Sequence, residues 1–361
     1  MMKKLYNLAI VLLFVPLISM ATNDIGKYKY EKSKTIKKEF SVNKDASVAI
    51  NNKYGNVDVV TWNENRVVIV VTITTKGDDE DRVLKKLDDI TVDFEASKSE
   101  VVATTKIEKT TNNWFNWGSS KNVNFKIDYT VKMPVTNDAK LTNDYGSISL
   151  NELKGDADIN CDYGKITLGD LHSSNNKINI DYTNSSTIGL MTGGTINADY
   201  SKFTIEDAGN IKLNADYTTS SFEKIASLNY NCDYGSLKIN RGSSVSGSGD
   251  YLTVVFNEIS DRVTINADYG SIKIENLKDN FENVTISSSY TGIKIGAPKN
   301  SAYSFVLDLD YAGFKYDDDD LLEFNKKIVK STSKYYEGYF KNQTSKSTIN
   351  IKSDYGGVTL Y

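Results

Sequence analysis

The sequence is poor in the residues that usually build sites: one histidine, two cysteines, three prolines and four arginines among 361 residues. A lone His172 excludes a multi-histidine metal site, and two cysteines exclude a Cys₄ zinc site and a disulfide framework. Arg66, Arg82, Arg241 and Arg262 leave few groups for bidentate recognition of phosphates or base edges. There is no excess of positive charge either. Lys and Arg number 43 against 47 Asp and Glu, a formal charge of −4, so no basic field attracts nucleic acid. Long apolar runs are missing after Ala21, which leaves no transmembrane segment in the remaining chain. Tyrosine, at 23 residues, is abundant. With 39% hydrophobic and 25% charged residues and a mean hydropathy of −0.41, the composition is that of a folded protein of one large or two ordinary domains.

Residues 1–21 read as a cleavable signal peptide. Lys3 and Lys4 precede the apolar Leu5 to Ile18, and Ser19-Met20-Ala21 places small residues at the cleavage positions. The stretch is short for a bilayer and carries Pro16, which disfavours a retained anchor. Cleavage after Ala21 leaves a mature chain that starts at Thr22, and the loss of Lys3 and Lys4 takes the formal side-chain charge from −4 to −6. The expected address is the periplasm or the cell surface, or secretion beyond it.

One motif dominates the rest. Asp-Tyr or a close variant recurs at near-even spacing at Tyr145, Tyr163, Tyr182, Tyr200, Tyr217, Tyr234, Tyr251, Tyr269, Tyr290 and Tyr311, and once more, after a long gap, at Tyr355. An isolated match appears at Lys53-Tyr54-Gly55. Around each tyrosine the pattern has period two, so the unit is strand. Four residues before the tyrosine lie Ile159, Ile178, Ile196, Leu213 and Ile265; two before it lie Cys161, Ile180, Ala198, Ala215, Cys232 and Ala267. The tyrosine shares their parity and is expected to point inward as an internal ladder, its hydroxyl bonded at the corner. Asn and Asp at the intervening positions are expected to face out. Apolar residues resume after the following glycine with the parity changed, as at Ile166 and Leu168, which predicts a corner with glycine taking positive φ.

Units of about 18 residues, stacked about 4.8 Å apart, predict an all-β fold: a right-handed β-helix or β-solenoid on the order of 50 Å long. In that arrangement Cys161 and Cys232 lie four units apart, roughly 19 Å, too far for a disulfide. They read as small buried side chains. Residues 22–140 form a strand-rich N-terminal cap. Strands are expected at 34–42, 46–61, 66–76, 91–108 and 121–134, with one helix at about 79–90 whose stripe is Val83, Leu84, Leu87 and Ile90 and whose cap is Asp78 or Asp79. Residues 141–361 form the solenoid, with an irregular excursion at about 312–345 that covers its far end. Pro134 and Pro298 mark the boundaries.

The signal peptide, the strand Lys53-Tyr54-Gly55-Asn56-Val57, the repeated Asp-Tyr-Gly-x-Ile/Leu units and Tyr335-Tyr336-Glu337-Gly338-Tyr339 together resemble the bacterial β-strand-repeat "putative adhesin" family of unknown function. The resemblance runs through nearly the whole mature chain. It implies an exported protein with a β-helix-like fold, and no catalytic residues to carry over.

No catalytic residue, metal ligand or cofactor is singled out. The repeated aspartates (144, 162, 181, 199, 216, 233, 250, 268) form a uniform ladder, whereas glycoside hydrolysis needs two carboxylates at one defined place. His172 reads as part of an exposed connection. A hard cation would relieve repulsion along the aspartates, but solvation and the neighbouring Asn160, Asn179, Asn197, Asn214, Asn231 and Asn266 suffice. The best local binding candidates are Trp114, Phe115 and Trp117, at a hairpin tip where their rings either stack on sugar faces or fold back over the first unit. The outer faces, with Lys165, Thr167, Lys202, Thr204, Lys238, Lys273 and Lys294 beyond the corner, suit weak multivalent contacts. The chain is therefore expected to be a noncatalytic adhesin or binding protein whose partners are glycans or envelope and surface proteins. A periplasmic structural or sensory partner of envelope proteins is the first rival, and a carbohydrate-active β-helix enzyme the second.

Overall fold

Apolar alternation at period two lets a strand bury one face, and here nearly every segment does so in the same way. The computed structural model describes residues 28–108, 123–316 and 321–361. Residues 1–21, read from the sequence as a signal peptide, the candidates Trp114, Phe115 and Trp117, and Asp317 to Asp320 lie outside the described residues. The fold is all-β: 26 strands joined in one open sheet, with one short helix among the described residues. No helix among them is long and apolar enough to cross a membrane.

The strands between Ser47 and Leu360 that flank the tyrosines pair in parallel with their counterparts one repeat away. Ile159 faces Ile178, Ile178 faces Ile196, and Ile196 faces Leu213. Inward side chains stack into columns, so Ile159, Ile178, Ile196, Leu213 and Ile265 are all at most 1% exposed. A parallel pairing with both flanks occupied leaves little freedom of register, since a one-residue slip would turn every apolar side chain outward. One repeat departs from the pattern: Tyr230 occupies the inner aliphatic position, and Gly247 opposite it leaves room for the ring, where a Cβ would come within 2.4 Å.

At the N-terminal end the pairing changes sense. Arg66–Gly77 runs antiparallel to both Tyr30–Ser41 and Asn124–Pro134, and the latter joins Val57–Trp62 in parallel. Ile90–Ala96 and Glu100–Ile107 form an antiparallel pair whose second strand continues onto Ser47–Lys53. Two of the expected strands are thus divided: 46–61 breaks at Tyr54, and 91–108 folds into a hairpin around residues 97–99. The helix spans Glu80–Asp88, with the Asp79 side chain accepting from the Arg82 N–H at 3.2 Å as its cap. Val83 and Leu87 are buried, but Leu84 is exposed and Ile90 belongs to the next strand.

At the other end the chain departs from sequence order. Thr348–Asp354 lies between Asn283–Ser289 and Tyr303–Asp310, in parallel with both. Val358–Leu360 likewise separates Gly292–Ile295 from Phe314–Tyr316. The final strands therefore do not follow the excursion as an outermost pair; they are inserted inside it. The excursion itself forms a hairpin, with Ser333–Phe340 antiparallel to Tyr303–Asp310 and Leu322–Val329 antiparallel to Ser333–Phe340.

Candidate functional site

The tyrosines are the most regular surface feature. Their expected inward orientation is corrected by the structure: Tyr145, Tyr163, Tyr182, Tyr200, Tyr217, Tyr234, Tyr251, Tyr269, Tyr290, Tyr311 and Tyr355 are 46–59% exposed. The reason lies in the backbone. Each has φ between +49° and +59°, and this left-handed residue reverses the parity expected of a continuous strand. The positive φ falls on tyrosine, not on the glycine after it. That glycine is required for space: a Cβ on Gly146 would lie 1.8 Å from the Gly55 carbonyl oxygen, and one on Gly164 would lie 1.9 Å from that of Gly146. Where Ser or Thr replaces it, the hydroxyl is put to use, as in Thr218 Oγ1 donating to the Ala198 carbonyl at 2.9 Å.

Tyr54, an isolated match in the sequence, heads the column and stacks on Tyr145 at 5.2 Å. From there the rings run to Tyr290 at 4.8–5.1 Å between centroids and within 9° of parallel. Tyr355 stacks on Tyr290 at 4.7 Å, and Tyr311 stacks on Tyr355 at 4.8 Å, following the strand insertion. Because each ring covers its neighbour's face, the column cannot offer those faces to sugars; it shows edges and hydroxyls. Partial burial comes first in raising the phenols of Tyr163, Tyr200, Tyr234 and Tyr355 above the ordinary value, with adjacent tyrosines and aspartates adding to it.

Beside the column runs a row of amides and a row of carboxylates. Asn179 Nδ2 donates to Asn160 Oδ1, Asn197 to Asn179 and Asn214 to Asn197, each at 2.7 Å. The carboxylates accept along the same direction: Asp233 N–H donates to Asp216 Oδ1 at 3.2 Å, and Asp250 N–H to Asp233 Oδ1 at 2.8 Å. Burial first, and then neighbouring aspartates, raise the carboxyls of Asp162 and Asp181. On the other face Lys165, Thr167, Lys202, Lys238 and Lys294 point outward. His172 is exposed and sits 3.3 Å from Glu152.

Cys161 and Cys232 are buried free thiols, both pushed up to about 12 chiefly by burial. Trp62, the third tryptophan, is covered by the Arg66 guanidinium 4.4 Å from its ring. Sequence reasoning missed the buried polar cluster at the head of the column. There Asn52 Nδ2 donates to the Ile127 carbonyl at 2.9 Å, and Asn143 Nδ2 to that of Gly55 at 2.7 Å. Both asparagines stand two residues before a tyrosine, a position filled in the other repeats by small or apolar residues (Cys161, Ile180, Ala198, Gly249, Ser288, Leu309), and an amide there is the signal that marks them.

No family model matches the chain, and no curated protein matches it. Among solved structures it is similar to a "putative cell adhesion protein" from Clostridium sporogenes at 12% identity and a TM-score of 0.17, over 91% of this chain and 99% of that one. A "putative adhesin" from Parabacteroides distasonis matches at 11% identity and a TM-score of 0.34, over 73% and 93% of the two chains. Another, from Parabacteroides merdae, matches at 10% and 0.30, over 91% and 96%.

Proposed function

We propose that this chain is an exported, noncatalytic binding protein that lays long polar β-faces against cell-surface or polymer partners. In this reading residues 1–21 are removed on export and residues 22–140 head the molecule. The strands that pair one repeat apart wind as one right-handed β-solenoid with about 18 residues per coil. Trp114, Phe115 and Trp117 supply aromatic contacts in this reading. Glycans and envelope or surface proteins are the partner classes.

The observation that carries the reading is the uniformity of the outer rows. Asn bonds to Asn from Asn160 to Asn214, and Asp follows Asp from Asp144 to Asp268, as suits weak contacts summed over length. A catalytic site needs a local constellation, which a ladder of equivalent residues does not supply.

The test is cosedimentation of the mature chain with polysaccharide-rich cell-envelope material at physiological salt. Saturable binding, weakened by joint substitution of Trp114 and Trp117 with alanine without loss of melting temperature, supports the reading. A protein that stays in the supernatant contradicts it, and unfolding of the double variant would make the two rings part of the core instead.

A further inference from the structure

The row of amides, which has Thr142 near its head and Asp308 at its far end, is most interrupted in its second half. Three residues before the tyrosine, Asn gives way to Ser248, returns as Asn266, and then becomes Ser287 and Lys352. At that place the outer face carries an open groove of about 320 Å³ with Asp250, Asp268 and Asp354 along one side. It crosses four adjacent strands, Gly235–Asp250, Leu252–Asp268, Asn283–Ser289 and Thr348–Asp354. At about 4.8 Å per step that is roughly 14 Å.

The polar groups here differ in state from those of the ladder. Asn160, Asn179, Asn197 and Asn214 spend their amides on one another. In the groove, no side-chain hydrogen bond or ion pair among the described residues engages the Asn266 amide, the Ser287 hydroxyl, the Lys352 ammonium or the Asp250 and Asp354 carboxylates. Donors and acceptors thus face the same space unspent.

We infer that this groove is a saccharide site, specific for hydroxyl-rich oligosaccharides that carry no acidic groups. The inference rests on the polymer-binding reading above and locates it. Three carboxylates against one ammonium repel an anionic ligand. A divalent cation is disfavoured by Lys352, and among the described residues no three His, Cys, Asp or Glu side chains converge to hold a metal. A sugar hydroxyl both donates and accepts, so it can give a charge-assisted bond to Asp250 or Asp354 while receiving one from Asn266 or Lys352. An amine-bearing sugar adds an ammonium to pair with the carboxylates.

The test is calorimetric titration of the mature chain at physiological salt with three probes: cellohexaose, the hexamer of glucosamine and the hexamer of galacturonic acid. The first two should bind, the glucosamine hexamer more tightly, and the galacturonate hexamer should not. Asn266→Ala and Asp354→Asn, at exposed and half-exposed outer positions, should each weaken binding about tenfold, the loss of one such bond. Ser287→Trp should block the groove, and Lys98→Ala, exposed in the turn at residues 97–99, should change nothing. Absence of binding by both non-acidic hexamers overturns the site, as does binding that none of the three groove substitutions moves. If envelope cosedimentation survives either result, only the groove fails; if it is lost as well, the polymer-binding reading fails with it.

Discussion

A non-glycine residue held at φ near +50° costs about 1–2 kcal/mol, and twelve tyrosines of this chain adopt that conformation. Aromatic pairs contribute about 0.5–1.5 kcal/mol beyond area burial, and an interior ring of the column has two such neighbours. Stacking and strain are therefore of similar size, which explains why tyrosine is kept where glycine would fit the backbone. Tyr217→Ala keeps the strain and loses both stacks, so a cost of about 2–3 kcal/mol is expected in urea unfolding. Tyr217→Gly loses the same stacks without the strain and should be about 1 kcal/mol milder, while Tyr217→Phe should be near neutral because the hydroxyl faces solvent. An alanine variant as stable as the glycine one would contradict the strained corner.

The aspartate row makes a second prediction at this scale. The Asp162 carboxyl is raised by burial first and then by Asp181 and Asp144. A raised acid holds its proton more tightly in the fold than in the unfolded chain, so stability declines as pH rises from the unfolded value through the folded one. Asp162→Asn should therefore raise the melting temperature at pH 7, by the equivalent of about 0.5 kcal/mol, and the gain should fade near pH 3. A lower melting temperature at pH 7 would show that the carboxylate is stabilising. The two thiols, buried and pushed up to about 12, should resist iodoacetamide at pH 8 until denaturant is added.

At the scale of elements, period-two alternation made the strands legible, because one flank of every segment must be apolar whatever its partners are. The helix was legible from Asp79 and the Val83–Leu87 spacing. Two things were hidden. Parity counting assumes an unbroken extended chain, so one left-handed residue per repeat reversed the orientation of the tyrosine column while leaving the inner isoleucines correctly placed. The insertion of Thr348–Asp354 between two earlier strands was also invisible, since the repeat says which strands are alike and not in which order they stack. The groove was visible only as a break in the asparagine positions. The inserted strands carry their own prediction: removing residues 346–361 takes away the pairing partner on both sides of a gap. Hydrogen exchange protection should be lost throughout 303–340, well beyond the deleted segment; protection retained there would mean that Tyr303–Asp310 pairs directly with Asn283–Ser289 instead.

At the scale of the molecule, the tyrosine column of twelve rings extends about 50 Å, flanked by amide and carboxylate rows on one side and by lysine and threonine on the other. Such a body presents many equivalent contacts, which suits a role at a surface where avidity replaces affinity. The account depends on the chain being displayed where polymers can reach it. The measurement that tests this most directly is protease and antibody accessibility of the protein on intact cells. Cleavage and labelling without permeabilisation are the predicted result. Full protection until the outer barrier is opened would contradict the adhesin reading and assign the polar faces to partners inside the envelope.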